Sequence, residues 1–293
     1  MTHRFGRRRS MRVVAMATLI IVAYQVGPVA GEDQVTFAQN GDARLRVFVE
    51  GNGPTIVLLP GQGRGPRHVD ELAKHLIASG YRIVRPEPRG FGESLGPLEG
   101  VTLRDNARDV AAAIEKVGGA PVIVAGVAYG NRVARMLAAD RPELVRGVVL
   151  MAAGGKFPPK PEVMATLRKA QDKSLALEER AAAARSVLYG PTSNISAAEM
   201  RLDETSPATI KAQSVAPSPS IPLDAWWGGG KAPMLVLQGL YDVIAPPENG
   251  RSLRQDYPER VTLVEFPELG HAMGSERPDL VADAIVTWVR KLK

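Results

Sequence analysis

A glycine-flanked turn is the stretch of this sequence best suited to present a reacting side chain. The residues Gly126-Val-Ala128-Tyr-Gly130 follow a β-branched apolar run that begins at Val122. Apolar residues then recur at helical spacing, at Val133, Met136 and Leu137. The pattern predicts a strand, a sharp turn and a helix. A nucleophile at the centre of the turn could attack a carbonyl, but Ala128 has no lone pair with which to do so.

The composition limits which other kinds of reactive site the chain can contain. Its 293 residues, 45% of them apolar, can form one α/β domain with an insertion or two domains. The chain has no cysteine, which excludes disulfides, thiolate metal sites and a cysteine nucleophile. No cluster of His, Asp and Glu has the spacing of metal ligands, so neither a metal nor another cofactor is expected.

Residues 1–31 have the pattern of an export signal. Five arginines precede an apolar run over residues 13–26, and small residues follow near Ala30 and Gly31. This pattern predicts cleavage and a periplasmic or secreted protein without a stable membrane span. An uncleaved membrane anchor is the alternative, although the run is shorter than the ~20 apolar residues that such an anchor usually needs.

The same arginines account for most of the net charge. The formal charge of +6 falls to +1 when the five arginines ahead of the first acidic residue, Glu32, are left out. We therefore expect no nucleic-acid partner. The five are Arg4, Arg7, Arg8, Arg9 and Arg12.

Apolar strands alternate with amphipathic helices along most of the chain. Strands are expected at 35–37, 44–49, 55–59, 81–85, 122–125, 145–153, 233–239 and 261–266, and helices at 68–78 and 102–117. The fully apolar strand at 55–59 is typical of a parallel strand covered on both faces. The alternation predicts an α/β fold with a mostly parallel, doubly wound sheet.

The turn at Ala128 resembles the nucleophile elbow of the α/β-hydrolase family, Gly-x-Ser-x-Gly, with Ala in place of Ser. The loop 60–65 is similar to the family's glycine-rich oxyanion loop, with Pro-Gly in place of His-Gly; a merely flexible turn is the alternative. The resemblance implies that the backbone amides of Gln62 and Tyr129 form an oxyanion hole. The loop 87–94 is similar to the family's Asp-x-Arg-Gly-x-Gly-x-Ser loop, which is mainly structural, so Ser94 is not proposed as a substitute nucleophile.

Two motifs near the C-terminus extend the resemblance. Asp242 follows an apolar strand in a Gly-x-x-Asp-x-x-x-Pro pattern, and His271 follows the last strand in a Gly-His pair. The family carries its catalytic acid and base at these places, in the chain order elbow, acid, base. The resemblance therefore implies that Asp242 orients His271 as a general base. The other histidines lie in the leader or near an early helix: His3, His68 and His75.

The alternation of strands and helices stops between residues 154 and 231. Helical stretches are expected at 161–188 and 196–201, followed by a Pro/Ser-rich loop and the pair Trp226-Trp227. The resemblance implies a helical cap here, inserted after the sixth strand and closing over the site. The two tryptophans could line the substrate pocket, or they could pack two segments together. The predicted domains are an export signal (1–31), an α/β-hydrolase core (32–153 and 232–293) and a cap (154–231).

Three functions are compatible with a site that lacks the serine. The first is an esterase-like hydrolase of a small, largely apolar ester, lactone or related carbonyl compound, in which His271 activates water. A site without one triad member can retain roughly 10³ to 10⁴-fold acceleration. The second is a lyase or isomerase in which His271 removes a substrate proton. The third is a protein that binds a small molecule and leaves it intact. The full leader favours a native Ala128 over a replacement introduced to trap substrate.

Overall fold

Eight strands form a single sheet. The computed structural model describes residues 1, 2, 34–216 and 221–292, so the predicted export signal lies almost entirely outside the described residues. The strands are β1 (Gln34–Asn40), β2 (Ala43–Glu50), β3 (Thr55–Leu59), β4 (Arg82–Pro86), β5 (Val122–Val127), β6 (Val145–Met151), β7 (Met234–Gly239) and β8 (Val261–Phe266). Their order in the sheet is β1-β2-β4-β3-β5-β6-β7-β8.

Most neighbouring strands are parallel. The exceptions are β2 with β1 and β2 with β4, which pair antiparallel. Every residue of β3, β5 and β7 is buried. This arrangement is typical of strands covered by helices on both faces, and it confirms the predicted doubly wound fold.

Nine α-helices lie in the described residues. They are α1 (Asp70–Ala78), α2 (Leu103–Val117), α3 (Tyr129–Asp140), α4 (Pro161–Gln171), α5 (Leu177–Leu188), α6 (Pro207–Val215), α7 (Glu248–Asp256), α8 (Met273–Glu276) and α9 (Pro278–Val289). Within the described part of the chain, no helix is long and apolar enough to cross a membrane.

Two apolar clusters cover the two faces of the sheet. Alternate residues of β3 belong to different clusters, since side chains of a strand point to opposite faces. Val57 packs with α2 and α3, whereas Ile56 packs with α1 and α9. The helix α2 begins at a capping box, in which Thr102 Oγ1 accepts from the Asp105 amide and Asp105 Oδ2 accepts from the Thr102 amide.

The segment between β6 and β7 contributes α4, α5 and α6, and we call its residues 154–231 the cap segment. The expected helix at 161–188 is two helices. The expected helix at 196–201 is wrong: a capping pair of Ser196 and Glu199 starts a turn there, but Arg201 adopts a φ of +48° and the turn does not continue. The third helix of the segment is α6, which Ser206 caps by accepting from the Thr209 amide.

Candidate active site

The turn between β5 and α3 has a strained backbone around Ala128. This residue has φ of 49° and ψ of −107°, outside the regions that non-glycine residues usually occupy. A Cβ added at Gly126 would overlap the backbone carbon of Gly130, and one added at Gly130 would lie 2.7 Å from the carbonyl oxygen of Leu59. Only glycine fits at either position, because strand and helix backbones approach so closely. The elbow geometry is therefore present although its central residue has no hydroxyl.

Asp242 and His271 form a hydrogen-bonded pair beside this turn. The carboxylate of Asp242 is 0% exposed, and both of its oxygens lie 3.0 Å from Nδ1 of His271. The amides of Ile244 and Ala245 donate to Oδ1 of Asp242 at 3.0 and 2.7 Å. The carboxylate accepts a hydrogen bond from Nδ1–H, which leaves Nε2 of His271 as the nitrogen that can accept a proton.

The loop that carries His271 is fixed to the cap segment. The amide of Ala272 donates to the carbonyl oxygen of Leu188, at the end of α5, at 2.8 Å. Glu276 accepts from the amides of Gly270 and Gly190 at 2.8 and 2.7 Å. Burial raises the pKa of Glu276, partly offset by these two hydrogen bonds. The position of His271 therefore depends on contacts with both the core and the cap segment.

The two predicted oxyanion-hole residues lie on the wall of one cavity with Ala128 and His271. Tyr129 is the first residue of α3, where backbone N–H groups have no partner within the helix. Among the described residues, neither the Tyr129 amide nor the Gln62 amide has an acceptor. The Gln62 side chain donates to Ser214 Oγ at 2.8 Å, and the Gly63 amide donates to Gln213 Oε1 at 2.7 Å. The glycine-rich loop is thus held against α6.

A second histidine, His68, lines the same cavity. Its Nδ1 accepts from the Gly61 amide at 3.1 Å. Burial lowers the pKa of His68 well below its usual range, and the positive charge of Arg64 lowers it further. His68 is therefore neutral, and its proton sits on Nε2, which becomes a hydrogen-bond donor. Sequence reasoning set His68 aside, although its place three residues after the glycine-rich loop was the signal that could have indicated it.

The cavity has a volume of about 740 Å³ and lies between the carboxyl ends of the central strands and the cap segment. Its cap-side wall is largely apolar and includes Phe157, Met164, Leu167, Leu188, Met200 and Leu202. A cavity of this size and character suits a small organic molecule. Among the described residues, no three His, Asp or Glu side chains are grouped so as to hold a metal ion.

Neither of the two tryptophans lines this cavity. Trp226 and Trp227 are 4% and 3% exposed and pack edge to face, with ring centroids 6.5 Å apart. Nε1 of Trp227 donates to Asp256 Oδ2 at 2.6 Å. The pair belongs to the core cluster that contains α2 and α3. The two tryptophans therefore pack segments of the chain together and do not contact the cavity.

The loop 87–94 also lies apart from the cavity. Its Ser94 is buried, and the hydroxyl donates to the carbonyl oxygen of Glu87 and accepts from the Arg46 amide, both at 2.9 Å. Arg89 forms a buried two-pronged ion pair with Asp109 at 2.6 and 2.7 Å. These contacts give the loop a structural role.

Comparison with known proteins agrees with this fold. A family model described as alpha/beta hydrolase fold matches residues 54–278. The chain belongs to the α/β-hydrolase fold family.

Relatives within this family are named for several chemistries. The chain is 29% identical over 262 residues to the Mycobacterium tuberculosis protein named "Putative non-heme bromoperoxidase BpoC", covering 83% of this chain and 96% of that one. It is 26% identical over 281 residues to a 2-hydroxy-6-oxo-6-phenylhexa-2,4-dienoate hydrolase of Burkholderia cepacia, covering 84% and 91%. An esterase structure from Exiguobacterium antarcticum superposes with a TM-score of 0.74 at 18% identity, covering 88% and 100%, which shows the shared fold.

Proposed function

We propose that this protein is an exported hydrolase of a small, largely apolar ester, lactone or related carbonyl compound, and that it acts without a covalent serine intermediate. The observation that carries the proposal is the Asp242–His271 pair, which lies with Ala128 at one apolar cavity. An acid–base pair of this kind activates a nucleophile by removing its proton. Because Ala128 supplies no hydroxyl, that nucleophile is water.

The cavity groups account for each step of such a hydrolysis. Nε2 of His271 accepts a proton from a water beside Ala128, and the water oxygen attacks the carbonyl carbon. The amides of Gln62 and Tyr129 donate to the oxyanion that develops. His271 then returns the proton to the alkoxide as the carbon–oxygen bond breaks, releasing an acid and an alcohol.

The proposed site of action is outside the cytoplasm. The basic and apolar pattern of residues 1–31 supports export to the periplasm or beyond. A relative named as a hydrolase of a phenyl-substituted oxo-dienoate supports a carbonyl compound of similar size as the substrate class.

Ala128 itself favours a second candidate function, a protein that binds a small carbonyl compound and leaves it intact. Loss of a nucleophile abolishes acyl-enzyme chemistry but leaves a shaped apolar cavity able to bind. The lyase or isomerase alternative also uses His271 and differs from hydrolysis in its products.

One experiment separates these functions. Native protein, His271→Ala and Ala128→Ser are compared on a panel of short-chain aryl esters and lactones, with product analysis and mass spectrometry for acyl adducts. His75→Ala is the matched control, because His75 is an exposed histidine on α1 that does not line the cavity. We expect hydrolysis by native protein and His75→Ala, none by His271→Ala, and an adduct only with Ala128→Ser.

Other outcomes contradict the hydrolase. Native activity equal to that of His271→Ala excludes His271 as the base. Activity confined to Ala128→Ser, with the native protein silent but able to bind the esters, identifies a binding protein.

A further inference from the structure

Four arginines line the cavity, and protein groups engage three of them. Arg67 and Arg201 form ion pairs with Asp70. Arg64 donates through both of its Nη atoms to backbone carbonyls of the cap segment at 3.0 and 3.1 Å. Arg132 has no hydrogen-bond or ion-pair partner anywhere in the described chain. A guanidinium on a cavity wall without a protein acceptor is free to donate hydrogen bonds to a ligand.

Arg132 projects from the helix that begins at the elbow. It lies four residues after Ala128, about 6 Å along the helix axis. Its guanidinium carbon is 5.9 Å from the ring centroid of Trp226. A Cβ added at Gly154 would lie 3.6 Å from Nη2, so the guanidinium lies close to this glycine. Burial lowers the pKa of Arg132, but an arginine remains protonated at neutral pH.

A second buried arginine strengthens the positive potential. Arg135 lies one turn further along α3, is fully buried, and donates to Asn131 and to the carbonyl oxygen of Gly154. Its Nη1 has no partner among the described residues. Burial lowers the pKa of Arg135, and the charge of Arg132 lowers it further. Two guanidinium groups therefore lie together without a carboxylate, and only Arg132 reaches the cavity.

We infer that Arg132 binds a carboxylate carried by the substrate, so that the preferred compound is an ester, lactone or ketone with an acid group on its chain. The inference rests on the proposed function in that it takes this cavity as the substrate site. A planar guanidinium matches a carboxylate through two parallel hydrogen bonds. A carboxylate carries one negative charge and matches the one guanidinium of this wall that has no hydrogen-bond partner among the described residues.

Arg132 and Ala128 line the same cavity. One bound molecule can therefore place its acid group at Arg132 and its carbonyl beside Ala128. The apolar wall of the cap segment surrounds the remainder of the molecule. The positive charge of Arg132 also disfavours the binding of cationic compounds.

The test uses binding of probes that cannot be hydrolysed. Aryl keto acids with stepwise longer methylene chains are titrated calorimetrically at neutral pH, each beside its primary amide. The variants are Arg132→Gln and Arg132→Lys, with Arg108→Gln as the control, because Arg108 is an exposed arginine of α2 that pairs with Asp105.

We expect native protein to prefer at least one acid over its amide by roughly 10- to 100-fold, the range for charge-assisted hydrogen bonds. Arg132→Gln should bind the two equally, Arg132→Lys should keep part of the preference, and Arg108→Gln should keep all of it.

Two results overturn the inference. In one, native protein binds every acid of the series no better than its amide, or binds none of the probes. The other is a preference that survives in Arg132→Gln. If the protein prefers acids but hydrolyses no ester, the role of Arg132 stands and only the proposed hydrolase is contradicted. If the protein hydrolyses neutral esters but shows no acid preference, the hydrolase stands and the role of Arg132 is contradicted.

Discussion

At Ala128, a non-glycine residue occupies backbone angles that cost about 1–3 kcal/mol. Asp242 adds a second cost, because a buried carboxylate is unfavourable unless hydrogen bonds and a partner stabilise it. His271 and two backbone amides provide that stabilisation. Neither the strained turn nor the pair is needed to fill the core. Together they support the proposal that the site acts on a ligand with alanine at the nucleophile position.

His68 should make the stability of the protein depend on pH. Its pKa in the folded protein lies well below the ordinary value of 6.5, so below about pH 6.5 the unfolded state binds a proton that the folded state does not. The free energy of unfolding should therefore fall as the pH is lowered below this value, by up to about 1.4 kcal/mol per pH unit. Urea unfolding of native protein at a series of pH values measures this slope.

The matched variant is His68→Gln, whose amide oxygen can still accept from Gly61. Below pH 6.5, its free energy of unfolding should change less steeply with pH than that of native protein. His75→Gln, which changes an exposed histidine, should behave like native protein. Identical slopes for native protein and His68→Gln would show that His68 is protonated in the folded state.

At the scale of secondary structure, the elbow depends on the contact between α3 and the end of β3. A Cβ at Gly130 would lie 2.7 Å from two backbone carbonyl oxygens, those of Leu59 and Pro60. Gly130→Ala should therefore destabilise the protein by about 3 kcal/mol, although alanine is the better helix former. Gly274→Ala, where an added Cβ meets nothing within 4 Å, is the control. Chemical denaturation of both variants measures the difference, and equal stabilities would contradict the close approach.

Glu276 joins the His271 loop to the cap segment. Glu276→Ala removes the acceptor of the buried Gly190 and Gly270 amides, and should cost about 2 kcal/mol of stability. It should also reduce ester turnover, because His271 loses part of its support. Glu268→Ala, in the same loop but exposed, should change neither quantity. Thermal unfolding and ester turnover are measured for both variants. If Glu276→Ala changes neither stability nor turnover, Glu276 does not support the His271 loop.

Sequence patterns predicted the sheet better than the cap segment. The strands β3 and β8 begin and end at the expected residues, because their apolar or alternating runs are bounded by turn residues. The helix α6 was missed because it has little amphipathic pattern of its own and is held by tertiary contacts, such as those of Gln213 and Ser214 with the glycine-rich loop. Helices of that kind leave little local signal.

The candidate site was predictable only where a motif pointed to it. Asp242 and His271 were assigned through their motifs, and they do meet. Arg132 carries no motif, and the role proposed for it follows from its three-dimensional position at the cavity and from the absence of a charge partner among the described residues. Neither property can be derived from one sequence.

In the molecule as a whole, several sets of contacts connect the cap segment to the core, and two of them involve loops that carry site residues. One joins α6 to the glycine-rich loop, and the other joins the end of α5 to the His271 loop. Since both loops carry site residues, loss of the cap segment would also release the site. We therefore expect core and cap segment to unfold as one cooperative unit.

The three tryptophans of the chain provide the measurement. Trp226 and Trp227 lie in the cap segment near its return to β7, and Trp288 lies in α9 on the opposite face of the sheet. The variant Trp288→Phe retains Trp226 and Trp227, so its fluorescence reports on the end of the cap segment. The double variant Trp226→Phe, Trp227→Phe retains Trp288, so its fluorescence reports on α9. In a cooperative protein, each fluorescence midpoint in urea coincides with the far-UV circular dichroism midpoint of the same variant. An earlier fluorescence transition in Trp288→Phe alone would show that the end of the cap segment, which packs on α2 and α3, detaches while the sheet remains folded.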